Sequence, residues 1–227
     1  MNTFTNIVKT AATVFAGLTL ASAASAASYT FDLEAFDSAV NKSGSYADQY
    51  NYSDNGVGMS VNGYTFNGSS INAQKVGIFN GFGMGVEQAS GSEHALDNNN
   101  GVDILTFSFA NDMTLDSVTS GWHSGDSDIS IYTVSSSGSY TKIENQTNLA
   151  DDIARSVNSG DIASKIWAVT AYDGSDSNIS YGNDFLKLSF LSFSDVASVP
   201  APAPATLGLM GAVLAGLGLR KRARKAA

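Results

Sequence analysis

The chain of 227 residues contains no cysteine. Thiol catalysis, Cys-ligated metal and disulfide bracing are therefore excluded, and stability has to come from a packed core. Histidine is nearly as scarce, at His94 and His123 alone, and no third ligand type is spaced around them for zinc. No G-x-S-x-G elbow occurs. The run from Gly81 to Gly85 lacks the spacing, the following lysine and the helical period of a phosphate loop, and reads as a glycine-rich loop. Cations number 12 against 21 acids, and proline occurs only at Pro200, Pro202 and Pro204.

The two ends differ from everything between them. Lys9 and the amino terminus precede an apolar run from Ala11 to Leu20 and a stretch of small residues, with Ala24-Ser25-Ala26 as the A-x-A pattern. This predicts a signal peptide over residues 1–27, cleaved by signal peptidase after Ala26 or Ala27. At the other end, Val199 to Ala205 holds all three prolines, whose fixed φ and missing amide donors make an extended, solvated stretch. An uncharged segment, 206–219, follows, with Leu207, Leu209, Met210, Val213, Leu214, Leu217 and Leu219 on every helical face. About 15 to 17 of the residues between Asp195 and Arg220 can be helical, roughly 23–25 Å at about 1.5 Å per residue, and a short transmembrane helix is predicted over 206–219. The basic cluster of Arg220, Lys221, Arg222, Arg224 and Lys225 is expected on the cytoplasmic side.

This arrangement of proline motif, apolar helix and arginine-rich end, on a chain with an export signal, resembles the PEP-CTERM class of sorting tails over residues 199–227. Val199, Pro200, Pro202 and Ala203 match the Val-Pro-Leu-Pro-Ala variant, and Ala201 stands where that variant has leucine. The resemblance implies processing by an exosortase, a membrane-embedded cysteine protease of Gram-negative bacteria that make exopolysaccharide. It also implies transient anchoring in the inner membrane, then delivery to the cell surface or extracellular matrix.

Between these ends, residues 28–198 suit one domain with a sizeable core. Lys9 and the five tail cations leave with the end segments and no acid does, so six cations face 21 acids, a net charge of −15. Nucleic acid and anionic lipid, which need basic patches, are therefore poor partners, and no nucleic acid is expected. Neutral sugars and cations fit better. Tyr29, Phe31 and Leu33 alternate as in a half-buried strand, and Met59, Val61, Tyr64 and Phe66 flank Asn62-Gly63, which predicts a hairpin with a type I′ turn there. Further strands are predicted over 75–79, 104–109, 115–122, 129–134, 140–143, 166–172 and 185–193, and one short helix over 148–156. Many strands joined by turn residues predict an all-β fold, an antiparallel β-sandwich of the jelly-roll kind with a barrel as the alternative.

Two constellations carry candidate chemistry. Asp126 and Asp128 form an Asp-x-Asp unit, echoed by Asp176 and Asn178, and oxygens two residues apart on a turn can converge on Ca²⁺; the plainer reading is a solvated turn. Trp122-His123 offers an aromatic platform and a polar contact for a sugar, or else a tryptophan that packs in the core. The order of the segments from Gly91 to Asn98, Asp103 to Phe109, Gly121 to Tyr132, Trp167 to Gly174 and Gly182 to Leu188 is similar to a family of exosortase-dependent surface proteins, which brings no catalytic residues. The expected function is therefore a surface or exopolysaccharide-matrix protein with a structural or binding role and no catalysis of its own. A carbohydrate-binding module or adhesin is the alternative.

Overall fold

Short runs of alternating apolar residues, separated by Gly, Asn, Asp and Ser, pair with one another along nearly the whole of the domain. The computed structural model describes residues 25–87, 94–160, 162–176 and 184–196. Its strands are β1 (Ser28–Asp32), β2 (Ser38–Val40), β3 (Tyr46–Ala47), β4 (Gln49–Asp54), β5 (Val57–Phe66), β6 (Ile71–Phe79), β7 (Gly83–Glu87), β8 (Leu96–Asp97), β9 (Val102–His123), β10 (Ile129–Val134), β11 (Tyr140–Gln146), β12 (Arg155–Ser156), β13 (Ser164–Ala171) and β14 (Phe185–Asp195). The fold is all-β. Every ladder between these strands is antiparallel, and the described residues include no helix, hence none long and apolar enough to cross a membrane. The sorting motif, the apolar segment and the basic cluster of the tail lie outside the described residues, as do residues 1–24 of the export signal.

One sheet of hydrogen bonds runs β11-β10-β13-β9-β14-β7-β6-β5-β4-β2. The long strand β9 is what turns it back on itself. Its first half pairs with β5 on one side and β13 on the other, while its second half pairs with β14. Between the halves, at 110–112, Ala-Asn-Asp is exposed and the apolar pattern stops, although the strand does not. The main core lies inside this path. Phe31, Phe109 and Phe193 meet there with ring centroids 4.6–6.1 Å apart. Trp167 is buried beside them in the same core, and its indole N–H donates to the Met113 carbonyl at 2.8 Å.

Three sequence expectations need correction. Asn62-Gly63 is no turn but the middle of β5, where a side chain at Gly63 would press on Val76 and the β6 backbone. The two-residue turn is at Asn55-Gly56 instead, with φ of 49° and 86° and Asp54 opposite Val57, as a type I′ turn requires. The stretch 148–156 is not helical, because Asn148 and Asp152 take φ of 52° and 59° and Arg155–Ser156 pairs with β9. The glycine-rich run becomes a turn followed by β7. Its Gly83 and Gly85 lie so close to the Leu188 and His94 carbonyls that an added Cβ would clash.

Candidate functional site

The first candidate is an acidic cluster at one end of β14. After β9 the chain turns through Asp126 and Asp128, and a bridge between Asp126 and Asp184 brings the residue before β14 alongside. Carboxylate oxygens of Asp126, Asp128 and Asp184 lie within 4.8 Å of one another. Asp184 is 0 % exposed and Asp128 3 %. Asp184 accepts from the Asp128 amide at 3.0 Å and from the Asn98 side-chain amide at 2.5 Å, and Asp128 accepts from the Asn148 amide at 2.7 Å. Burial, reinforced by the charges of Asp128 and Asp126, pushes the Asp184 carboxyl up to about 7 against these hydrogen bonds. Burial raises Asp128 as well.

Such a cluster is suited to holding a proton or a cation. Asp126 and Asp128, the residues singled out in the sequence, are thus joined by Asp184, fifty-six residues beyond Asp128. Asp176 is not part of the cluster; it is engaged with the Tyr172 hydroxyl, and Asn178 lies outside the described residues. If Ca²⁺ binds here, millimolar calcium at pH 8 and fixed ionic strength should stabilise the fold by about 0.4–1.4 kcal/mol for a site of roughly 10⁻⁴–10⁻³ M affinity. Thermal melts of the wild type and Asp184→Asn would check this. Equal shifts with calcium, magnesium and sodium would leave the cluster as a proton-sharing group only.

A second candidate occupies the opposite face of the central strands. On β9, β10 and β13, residues such as Phe107, Ile131 and Trp167 point into the main core, so their neighbours Ile104, Tyr132 and Ala168 must point outward. These outward residues are themselves apolar. Ile104, Val134 and Ala168 form a second buried cluster, with Tyr64, Tyr132, Tyr140 and Ile166 packed against it. Next to it opens a cleft of about 520 Å³, walled by Phe66, Ile71, Tyr132 and Tyr140 and edged by Asn67, Asn100, Thr170 and Asp173. The Tyr132 and Tyr140 rings meet edge to face, 6.0 Å between centroids.

The charge in this cleft is tightly held. Asp173 accepts from the Lys142 ammonium at 2.6 Å, from the Ser130 hydroxyl at 3.1 Å, from the Ser175 amide at 3.0 Å and from the Tyr132 hydroxyl. Burial alone would raise its pKa, but the hydrogen bonds from Lys142, Tyr132 and Ser175 win and hold the carboxyl well below the usual carboxylate range. Burial and the Asp173 carboxylate raise the Tyr132 phenol, which therefore stays protonated as a donor.

The Trp122-His123 pair lies elsewhere. Lys187, the cross-strand partner of Trp122, sets its ammonium 3.9 Å from the indole centroid and 5.2 Å from that of Phe79, so one face of the ring is covered. Burial lowers the Lys187 pKa. His123 Nδ1 is 2.7 Å from an Asp151 carboxylate oxygen. No family model, curated protein or solved structure matches the chain. Its chemistry rests on the geometry of these sites.

Proposed function

We propose that this chain is an exported protein of the cell surface or exopolysaccharide matrix, with a structural or binding role, whose tail is processed by an exosortase-like enzyme in the inner membrane of a Gram-negative bacterium. In this reading the all-β domain is a sandwich of the jelly-roll kind with β9 shared between its layers, and it works by binding.

The supporting observation is where the domain begins and ends. β1 starts at Ser28, with Ala27 alone between it and Ala26, the end of the A-x-A pattern, and β14 stops at Asp195, shortly before Val199. The two strands pair from Ser28 opposite Ser194 onward. Beyond that pair, the Ala27 amide nitrogen donates to the Asp195 carboxylate at 2.6 Å and the Asp195 amide to the Ala27 carbonyl at 3.0 Å. Cleavage after Ala26 would turn that nitrogen into an α-ammonium already seated on a carboxylate, so removing the signal leaves a favourable ion pair where a peptide bond was. β14 ends at Asp195, so a cut at the sorting motif would sever none of the described strands.

The test is made on the tail. Replacing Arg220, Lys221, Arg222, Arg224 and Lys225 with neutral residues should weaken retention in the inner membrane and disturb processing, because five cytoplasmic cations resist translocation. Fractionation of a tagged chain reads both effects. Unchanged location and unchanged mass would overturn the proposed route.

A further inference from the structure

We propose that the cleft on the outer face of β5, β9, β10 and β13 binds a neutral saccharide chain. This deepens the binding role proposed above by naming the site and the ligand class. The wall comes first. Phe66 and Ile71 are 39 % and 44 % exposed and both line the cleft, on a sheet face whose neighbouring positions are already apolar, so two large apolar groups meet water side by side there. A pyranose presents a face of C–H bonds, whose partial positive charge suits the negative face of an aromatic ring. Phe66, Tyr132 and Tyr140 supply such rings in one cleft.

Polar groups complete the match. The Asn67 side-chain oxygen is used by the Ser69 and Ser70 amides, which fixes the group and leaves its NH₂ for a ligand. Asn100, on the facing turn, makes no side-chain hydrogen bond among the described residues and is held at φ 63°. Hydroxyl-bearing ligands are bound in this way, by a mostly apolar wall with a few placed donors and acceptors, and the volume falls within the usual ~300–1,000 Å³.

Charge decides between classes of saccharide. Among the described lining residues Asp173 is the one acid and already has Lys142 as its partner, and none of them is a cation that could meet a uronate or sulfate. The surrounding domain is strongly acidic and repels polyanions. A neutral chain meets neither obstacle.

Affinity electrophoresis of the protein recovered from producing cells, in gels containing dextran, a β-glucan or a galactomannan and in parallel gels containing alginate, tests the assignment. At least one neutral polysaccharide should retard the protein and alginate should not. Tyr140→Ala and Phe66→Ala should each weaken the retardation by tenfold or more. Ile71→Ser, at a position too exposed to support the core, should weaken it with no change in melting temperature. Retardation by a neutral polysaccharide that all three variants retain would overturn the cleft while leaving a binding role in place. Preference for alginate, absence of retardation in every neutral gel, or displacement by dodecanoate but not by sugar would overturn the ligand class.

Discussion

Trp167→Ala should destabilise the domain by about 3–5 kcal/mol, the range for deleting a large buried aromatic side chain. Trp167 is fully buried, and its strand pairs with β9 through Phe107 and with β10 through Thr133. The residue does more than fill space. Its indole N–H satisfies the Met113 carbonyl, at the point where β9 resumes after its exposed middle and passes from β13 to β14. Trp167→Phe separates the two contributions: it keeps most of the apolar volume and strands the Met113 carbonyl, for an expected ~1–3 kcal/mol. Since whole domains are stable by only about 5–15 kcal/mol, the alanine variant should lose a large share of its stability. Urea unfolding monitored by circular dichroism gives both values. A loss below about 1 kcal/mol for alanine would mean that the passage of β9 from β13 to β14 does not depend on this side chain.

The same strand shows why the fold was legible only in pieces. Short runs rich in β-branched and aromatic residues, bounded by Gly, Asn, Asp and Ser, locate β10 to the residue and β13 and β14 within two residues. β9 reads as two strands since Ala110, Asn111 and Asp112 are exposed, yet hydrogen bonding does not require apolar side chains and the strand continues through them. At Asn62-Gly63 the apolar residues switch from odd to even positions, which mimics a turn. The actual cause is a strand with two apolar faces, Met59 and Val61 toward the main core, Tyr64 and Phe66 toward the outer cluster and cleft. Composition could not show this, because the outer face becomes apolar only when five strands bring their residues together.

Site residues follow the same logic. Asp126 and Asp128 are two apart, and a local motif exposes them; Asp184 and Asn98 join them only through the bridge to β14 and a contact across eighty-six residues. The cleft has no local signature at all. Tyr132 and Tyr140 are ordinary strand residues in the sequence, Asp173 one turn aspartate among many, and their meeting depends on the order β11-β10-β13-β9. Trp122, by contrast, is conspicuous in the sequence and has one face against Lys187 in the fold.

Asp184 should make stability fall as pH rises from about 4 to about 7. In the folded state its carboxyl is pushed up to about 7, whereas in the unfolded chain it titrates near ~3.9. Between these values the folded state holds a proton that the unfolded state has lost. The contribution is therefore complete below the unfolded pKa and gone once pH has passed the folded one. Three units correspond to at most about 4 kcal/mol at ~1.36 kcal/mol per unit. Asp173 acts with the opposite sign, since its carboxyl is lowered and its contribution is lost toward acid, so the total curve mixes both. Comparing wild type with Asp184→Asn cancels the shared part. The asparagine oxygen can still accept from the Asp128 amide, and no carboxylate remains to be ionised at the buried position. Urea unfolding at pH 4.5, 6.0 and 7.5, at constant ionic strength and without divalent cations, should show the wild-type advantage shrinking by about 2–4 kcal/mol across the series. Calcium added at pH 7.5 should restore part of it only if the cluster accepts a cation in place of the proton. A difference that is flat with pH would mean that Asp184 is ionised throughout, with Asn98 and the Asp128 amide sufficient to hold its charge.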